Sequence, residues 1–118
     1  MLPTNFDFLA SENPELKVAV TRLGEWARKH KDWKIIDPIA VSREIKDVDP
    51  FLLSYTLHLL VARGLFRQVY MIMTPSGVLA GEPVDDPNKI PKRVSDGFDQ
   101  SFDRDDGVIV PILEPIAR

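Results

Sequence analysis

The chain has no cysteine, which excludes disulfide bonds, thiol nucleophiles and thiolate metal sites together. Histidine is scarce: His30 and His58 fall in separate segments, and with Ser42 and Ser54 they match no nucleophile motif. The glycines are scattered, so no Gly-rich phosphate loop can form. Apolar runs are short, none approaching the roughly 20 residues of a membrane span, and the opening stretch MLPTNFDFLASE lacks a positive leader. These absences lead us to expect a cytoplasmic protein without membrane contact, catalytic residues, bound metal or cofactor. Charge is also missing locally: between residues 50 and 81 the only charged side chains are Arg63 and Arg67.

What remains is an ordinary globular composition, 44% hydrophobic and 28% charged over 118 residues, enough for one domain with its own core. The net charge is −3, with the acidic excess in residues 82–118, which hold nine acids against five bases. A field of that sign does not draw in phosphate backbones, so any nucleic-acid contact needs a local basic patch.

Residues 1–12 read as an irregular arm in which Phe6, Phe8 and Leu9 can dock on a core. Asn13-Pro14-Glu15 carries the signals of a helix start: a capping amide, a proline whose missing N–H costs nothing there, and an acid at the positive end of the dipole. Leu16, Val20, Leu23, Ala27 and His30 follow at helical spacing and predict a helix over 14–31 with Trp26 beside its apolar stripe. Trp33 to Ile36 is too short for a helix and predicts a strand.

Asp37-Pro38 and Asp49-Pro50 then open two further helices. The first runs to about Lys46 with Ile39, Val41 or Ser42, and Ile45 inward; the second runs to about Arg63 and is closed by Gly64. Joined by so short a turn, they form a helix-turn-helix. Residues 66–73 and Val78 to Gly81 alternate as strands around Thr74-Pro75-Ser76-Gly77, a hairpin with a type I turn in a four-residue loop. Val69 to Met73 is apolar on both alternating faces, so both must be covered, by the tail or by a second subunit. Residues 82–107, rich in Pro, Asp and Gly, read as a long loop with a helical turn around Pro91 to Phe98. Val108 to Ile116 reads as a strand that Pro111 places at a sheet edge. Asp103-Arg104-Asp105-Asp106-Gly107 misses a calcium-loop register by one residue and reads as a polar turn.

From Ile39 to Phe66 the chain resembles the winged helix-turn-helix superfamily, whose recognition helix ends in a Leu-x-x-x-Gly-Leu pattern leading into the first wing strand; Leu60-Val61-Ala62-Arg63-Gly64-Leu65-Phe66 carries that pattern. The resemblance covers about residues 14–81. It implies an α+β fold of three helices plus a small antiparallel wing sheet, with the strand at 33–36 pairing with the wing hairpin. Residues 1–81 would be arm and winged-helix core, and 82–118 a loop and C-terminal strand packed on the same single domain.

The resemblance brings two functions into view. A DNA-binding regulator would use Arg28, Lys29, Lys31, Lys34, Arg43, Lys46, Ser54, Arg63 and Arg67. The recognition helix, however, reads PFLLSYTLHLLVAR, with no Lys, Arg, Asn or Gln before Arg63. A helix apolar nearly all round is covered on both sides, the second face either by residues 82–118 or by another protein. We therefore expect a non-enzymatic module that binds a protein partner, or itself as a homodimer, through Phe51, Leu52, Tyr55, His58 and Leu59, with Leu53, Leu57 and Leu60 facing the core.

Overall fold

The computed structural model describes residues 5–95 and 100–116. The helices are α1 (Asp7–Glu12), α2 (Lys17–Lys29), α3 (Pro38–Glu44) and α4 (Pro50–Ala62). The strands are β1 (Phe66–Met73), β2 (Leu79–Val84), β3 (Arg93–Ser95), β4 (Ser101–Asp103) and β5 (Val108–Pro115). The protein is thus α+β, with a three-stranded antiparallel sheet in the order β2-β1-β5 and a separate β3–β4 pair. It divides into two compact units, residues 1–67 with 113–118, and residues 68–112. Among the described residues no helix is long and apolar enough to cross a membrane.

The first unit is built on helices. The N-terminal arm, expected to be irregular, contains α1, which places Phe6 and Leu9 in the core; Pro3 lies outside the described residues. Asn13 does not cap the helix that follows it. Its backbone N–H (2.8 Å) and its Nδ2 (3.2 Å) both donate to the Leu9 carbonyl and so close α1, and α2 instead grows out of a 3₁₀ turn at Pro14–Leu16. A side chain serves whichever helix end lies within its reach, and here the carbonyls left over by α1 come first. Leu16, Val20, Leu23 and Ala27 are buried as their spacing requires, and Trp26 beside them is buried too; His30, the last of the expected stripe, is half-buried.

Asp37 and Asp49 cap α3 and α4 as their Asp-Pro signals indicate, accepting hydrogen bonds from the N–H groups of Ile39 (3.0 Å) and Phe51 (2.9 Å). Val41 and Ile45, four residues apart, set the inward face of α3 and both are buried. Ile39 is exposed, contrary to its expected inward position. It lies two residues before Val41, about 200° round the helix, so it cannot share that face. Helix α4 ends in a Schellman motif: Gly64 N–H donates to Val61 O and Leu65 N–H to Leu60 O, both at 3.0 Å, with Gly64 at φ +78°. The Leu60-to-Leu65 pattern is therefore a helix stop whose glycine supplies the left-handed residue.

The strand expected at Trp33 to Ile36 reduces to one antiparallel bridge, and its partner is the C-terminal strand, not the hairpin. Ile36 and Leu113 exchange N–H···O bonds of 2.8 and 2.9 Å, with both side chains buried. Pro38, which has no N–H, follows too soon for the ladder to lengthen. Arg67 of β1 is tied to Glu114 of β5, Nε to Oε1 at 2.8 Å.

In the second unit β1 spans the expected residues, and the turn is tighter than the expected four-residue loop. Gly77 N–H bonds Thr74 O (2.9 Å) and Thr74 N–H bonds Val78 O (2.8 Å), with Gly77 at φ +87°. This is the three-residue loop in which a left-handed glycine follows the turn. Farther along, Tyr70 pairs with Val84 but Ile72 with Ala80, so Gly81, Glu82 and Pro83 bulge opposite Met71. Pro83 has no N–H to give the ladder, and the bulge removes it from pairing.

The described residues of 82–107 do not form a long loop. They complete β2, form a 3₁₀ turn at Pro87–Lys89 and make the β3–β4 pair, in which Val94 faces Phe102. The helical turn expected around Pro91 to Phe98 is strand at Arg93–Ser95, and Phe98 itself lies outside the described residues. Ile72, Ala80, Ile90 and Val94 form this unit's own cluster, with Tyr70, Val84 and Phe102 against it. Residues from the supposed loop thus cover one face of β1, while Val69 and Met71 are buried on the other. Strand β5 is an edge strand, consistent with Pro111. At the polar turn, Asp103 Oδ1 accepts from Asp105 N–H (2.9 Å) and Arg104 Nη1 reaches Ile90 O (2.8 Å).

Candidate functional site

Helix α4 carries three kinds of surface. Leu53, Thr56, Leu57 and Leu60 are buried, and Thr56 Oγ1 donates to Leu52 O at 2.7 Å, so even the polar member of this face is satisfied within the helix. Leu52, Leu59 and Val61 are half-buried and pack against the core cluster. Phe51, Ser54, Tyr55, His58 and Ala62 are exposed, Phe51 by 73% and Tyr55 by 41%. Of the five partner-binding candidates, then, Phe51, Tyr55 and His58 lie on the open face, and Leu52 and Leu59 form its flanks with part of their surface committed to the core.

From Phe51 onward the exposed residues recur at i, i+3, i+4, i+7 and i+11, which is a single helical stripe. No charged side chain occurs from Pro50 to Ala62. The first one met is Arg63, whose Nη1 is held by Glu12 and whose guanidinium lies over the Phe8 ring, 5.4 Å from its centroid. The Glu12 contact pushes the Arg63 pKa further above its ordinary range.

The basic candidates do not gather on this stripe. Arg28 and Lys29 end α2, Lys31 and Lys34 follow it, Arg43 lies in the last turn of α3, and Lys46 lies in the turn to α4. All are exposed. Ser54 stands on the α4 stripe, while Arg63 and Arg67 are engaged by Glu12 and Glu114.

Between the ends of α2 and α3 runs a groove of about 280 Å³ lined by Arg22, Glu25, Trp26, Lys29, His30, Glu44, Ile45 and Asp47. Acids and bases alternate in it, so it offers no cradle for phosphate. Arg22 Nε donates to Asp47 Oδ2 at 2.7 Å, and this hydrogen bond holds the Asp47 carboxyl below the ordinary carboxylate range. No family model matches the chain, and comparison with curated proteins and with solved structures returns no significant match.

One cluster escaped the reading of the sequence. Trp26, His30 and Trp33 pack together with tilted rings, the Trp26–His30 centroids 4.7 Å apart and those of His30 and Trp33 4.0 Å apart. Trp26 Nε1 donates to Glu44 Oε2, and His30 Nε2 lies 3.3 Å from the same oxygen. One carboxylate of α3 thereby clamps the end of α2. The signal was present in the spacing, since Trp26, His30 and Trp33 fall at i, i+4 and i+7, but it reads as core until the partner Glu44 is known.

Proposed function

We propose that this chain is a non-enzymatic winged helix-turn-helix module that binds protein through the exposed stripe of α4. The observation that carries the proposal is Phe51, 73% exposed beside Tyr55 on a helix without a charged residue. Leaving a phenyl ring in water forgoes about 2 kcal/mol of burial, and exposed aromatic side chains are common anchors of a protein contact. The winged-helix part rests on the order of elements after α1: helices α2, α3 and α4 followed by a hairpin, with a Schellman stop between α4 and β1.

The alternative, a DNA-binding regulator, draws support from the exposed Lys31, Lys34, Arg43 and Lys46, which make no ion pair among the described residues. Against it stands the α4 stripe, which offers Ser54, Tyr55 and His58 but no cation for phosphate. Two measurements separate the readings. A photo-crosslinking residue at Tyr55, compared in cells with one at the exposed Ser42 of α3, should give protein adducts from position 55 only. A gel shift at low salt that fades steeply as salt rises, together with no adduct from position 55, would reverse the assignment.

A further inference from the structure

Trp33 holds an indole in solvent on a rigid support. Its backbone N–H donates to His30 O at 2.9 Å, the His30 imidazole lies against the indole with a tilt of 33°, and the Trp26 ring meets it at 86°. Backed in this way, Trp33 is still 43% exposed. The exposure belongs to the face turned away from His30, which is presented already fixed in place to whatever binds there.

The surroundings of that face are basic in an acidic chain. Residues 28–46 hold six bases against three acids, a local charge of +3 in a protein of −3. Lys31 and Lys34 flank Trp33 in the chain, and the contacts of Glu44 with Trp26 and His30 bring the end of α3, with Arg43 before it and Lys46 after it, to the same end of α2. All four cations are exposed and make no ion pair among the described residues. Of the three acids, Asp37 caps α3 and Glu44 is taken up by the clamp, so only Asp32 is uncommitted among the described residues. Cations suit the negative ends of α2 and α3, but that does not account for an indole face left open among them.

We propose that Trp33 is the stacking platform of a second interaction surface, separate from the α4 stripe, that binds single-stranded nucleic acid. One base lies on the open indole face, and Lys31, Lys34, Arg43 and Lys46 meet the phosphates on either side of it. Every base has a π-face, so the contact tolerates any sequence, and a base in a single strand reaches the ring without the cost of opening a duplex. An acidic peptide answers the charge but not the ring. A bilayer takes up apolar side chains that project into it, whereas Trp33 is packed against two other rings.

Fluorescence anisotropy of a labelled oligouridine of about 12 nucleotides, titrated with the full chain at low salt, should show binding that weakens as salt rises. The same oligonucleotide paired with oligoadenosine, and polyglutamate as a competitor, should bind more weakly. Trp33→Ala should weaken binding about 5- to 150-fold with the salt slope unchanged, and Trp33→Phe should recover most of the loss. Lys31→Gln with Lys34→Gln should lower the slope by about 1.4, two contacts at about 0.7 each on a single strand; both positions are exposed, so this pair carries the test even where Trp33→Ala disturbs the fold. Tyr55→Ala on α4 should bind as wild type. The proposal is overturned by an absence of binding at low salt, by duplex or polyglutamate binding as tightly as the single strand, or by Trp33→Ala binding as wild type. A loss in Tyr55→Ala would move the nucleic acid to α4, and binding of phosphatidylserine vesicles without the oligonucleotide would replace it by a lipid surface; either result overturns the assignment to Trp33.

Discussion

Replacing Gly64 tests the helix stop on which the α4 surface depends. Gly64 has φ +78°, and a Cβ built on it meets nothing within 4 Å. The cost of a side chain there is therefore backbone cost alone. A non-glycine residue in the left-handed region loses about 1–2 kcal/mol, and alanine recovers about 0.4–1 kcal/mol of that by restricting the unfolded chain. The net expectation for Gly64→Ala is a loss of about 1 kcal/mol, equivalent to a fall in Tm of roughly 4 °C for a chain of this size. Gly64→Asn should lose less, because asparagine tolerates the left-handed region, and Gly64→Val should lose more. Urea denaturation with an unchanged slope reads the series directly. If alanine equals glycine, or if valine equals alanine, the backbone account of this stop is wrong.

Four other substitutions probe separate parts of the argument. Gly107→Ala should cost more than Gly64→Ala, about 1–3 kcal/mol in the same denaturation assay, because its Cβ would lie 2.7 Å from Met73 O and 2.8 Å from Ile72 Cγ1. Thr56→Val should stay within about 0.5 kcal/mol of wild type, since Leu52 O keeps its helical partner when the hydroxyl goes; a large loss would show that the hydroxyl has a further role. Glu44→Ala should lose about 1 kcal/mol and change tryptophan emission as Trp26 loses its acceptor; unchanged emission would dissolve the clamp. Arg22→Gln should return the Asp47 carboxyl towards its ordinary range in an NMR titration. Because that folded pKa is lowered, the contribution of the pair is present above the ordinary carboxylate value near 4 and is lost as pH falls through the lowered one.

Much of this fold was legible because its signals are local. Asp37-Pro38 and Asp49-Pro50 each hold a capping acceptor and a residue pre-set for the first helical turn, so both helix starts appear where they were expected. Gly64 and Gly77 mark positions whose backbone only glycine adopts without cost. The inward face of α4 was legible for a different reason, since Leu53, Leu57 and Leu60 repeat at helical spacing. Where the reading failed, the deciding partner was distant. Asn13 can cap either of two helices, and only the position of Leu9 O settles which. The strands at Arg93–Ser95 and Ser101–Asp103 are too short to show a period, and their pairing of Val94 with Phe102 is a long-range event.

By itself, the sequence determined the Asp37 and Asp49 caps, the glycine stop of α4, the helical periods of α2 and α4 and the absence of charge from Pro50 to Ala62, because each depends on residues within a few positions of one another. Only the tertiary structure decided which strand receives Ile36, how Glu44 joins Trp26 to His30, and how far Leu52 and Leu59 are committed to the core. It also decided that Phe51 and Tyr55 stand in solvent. Exposure depends on everything packed around a residue, and no local pattern records that.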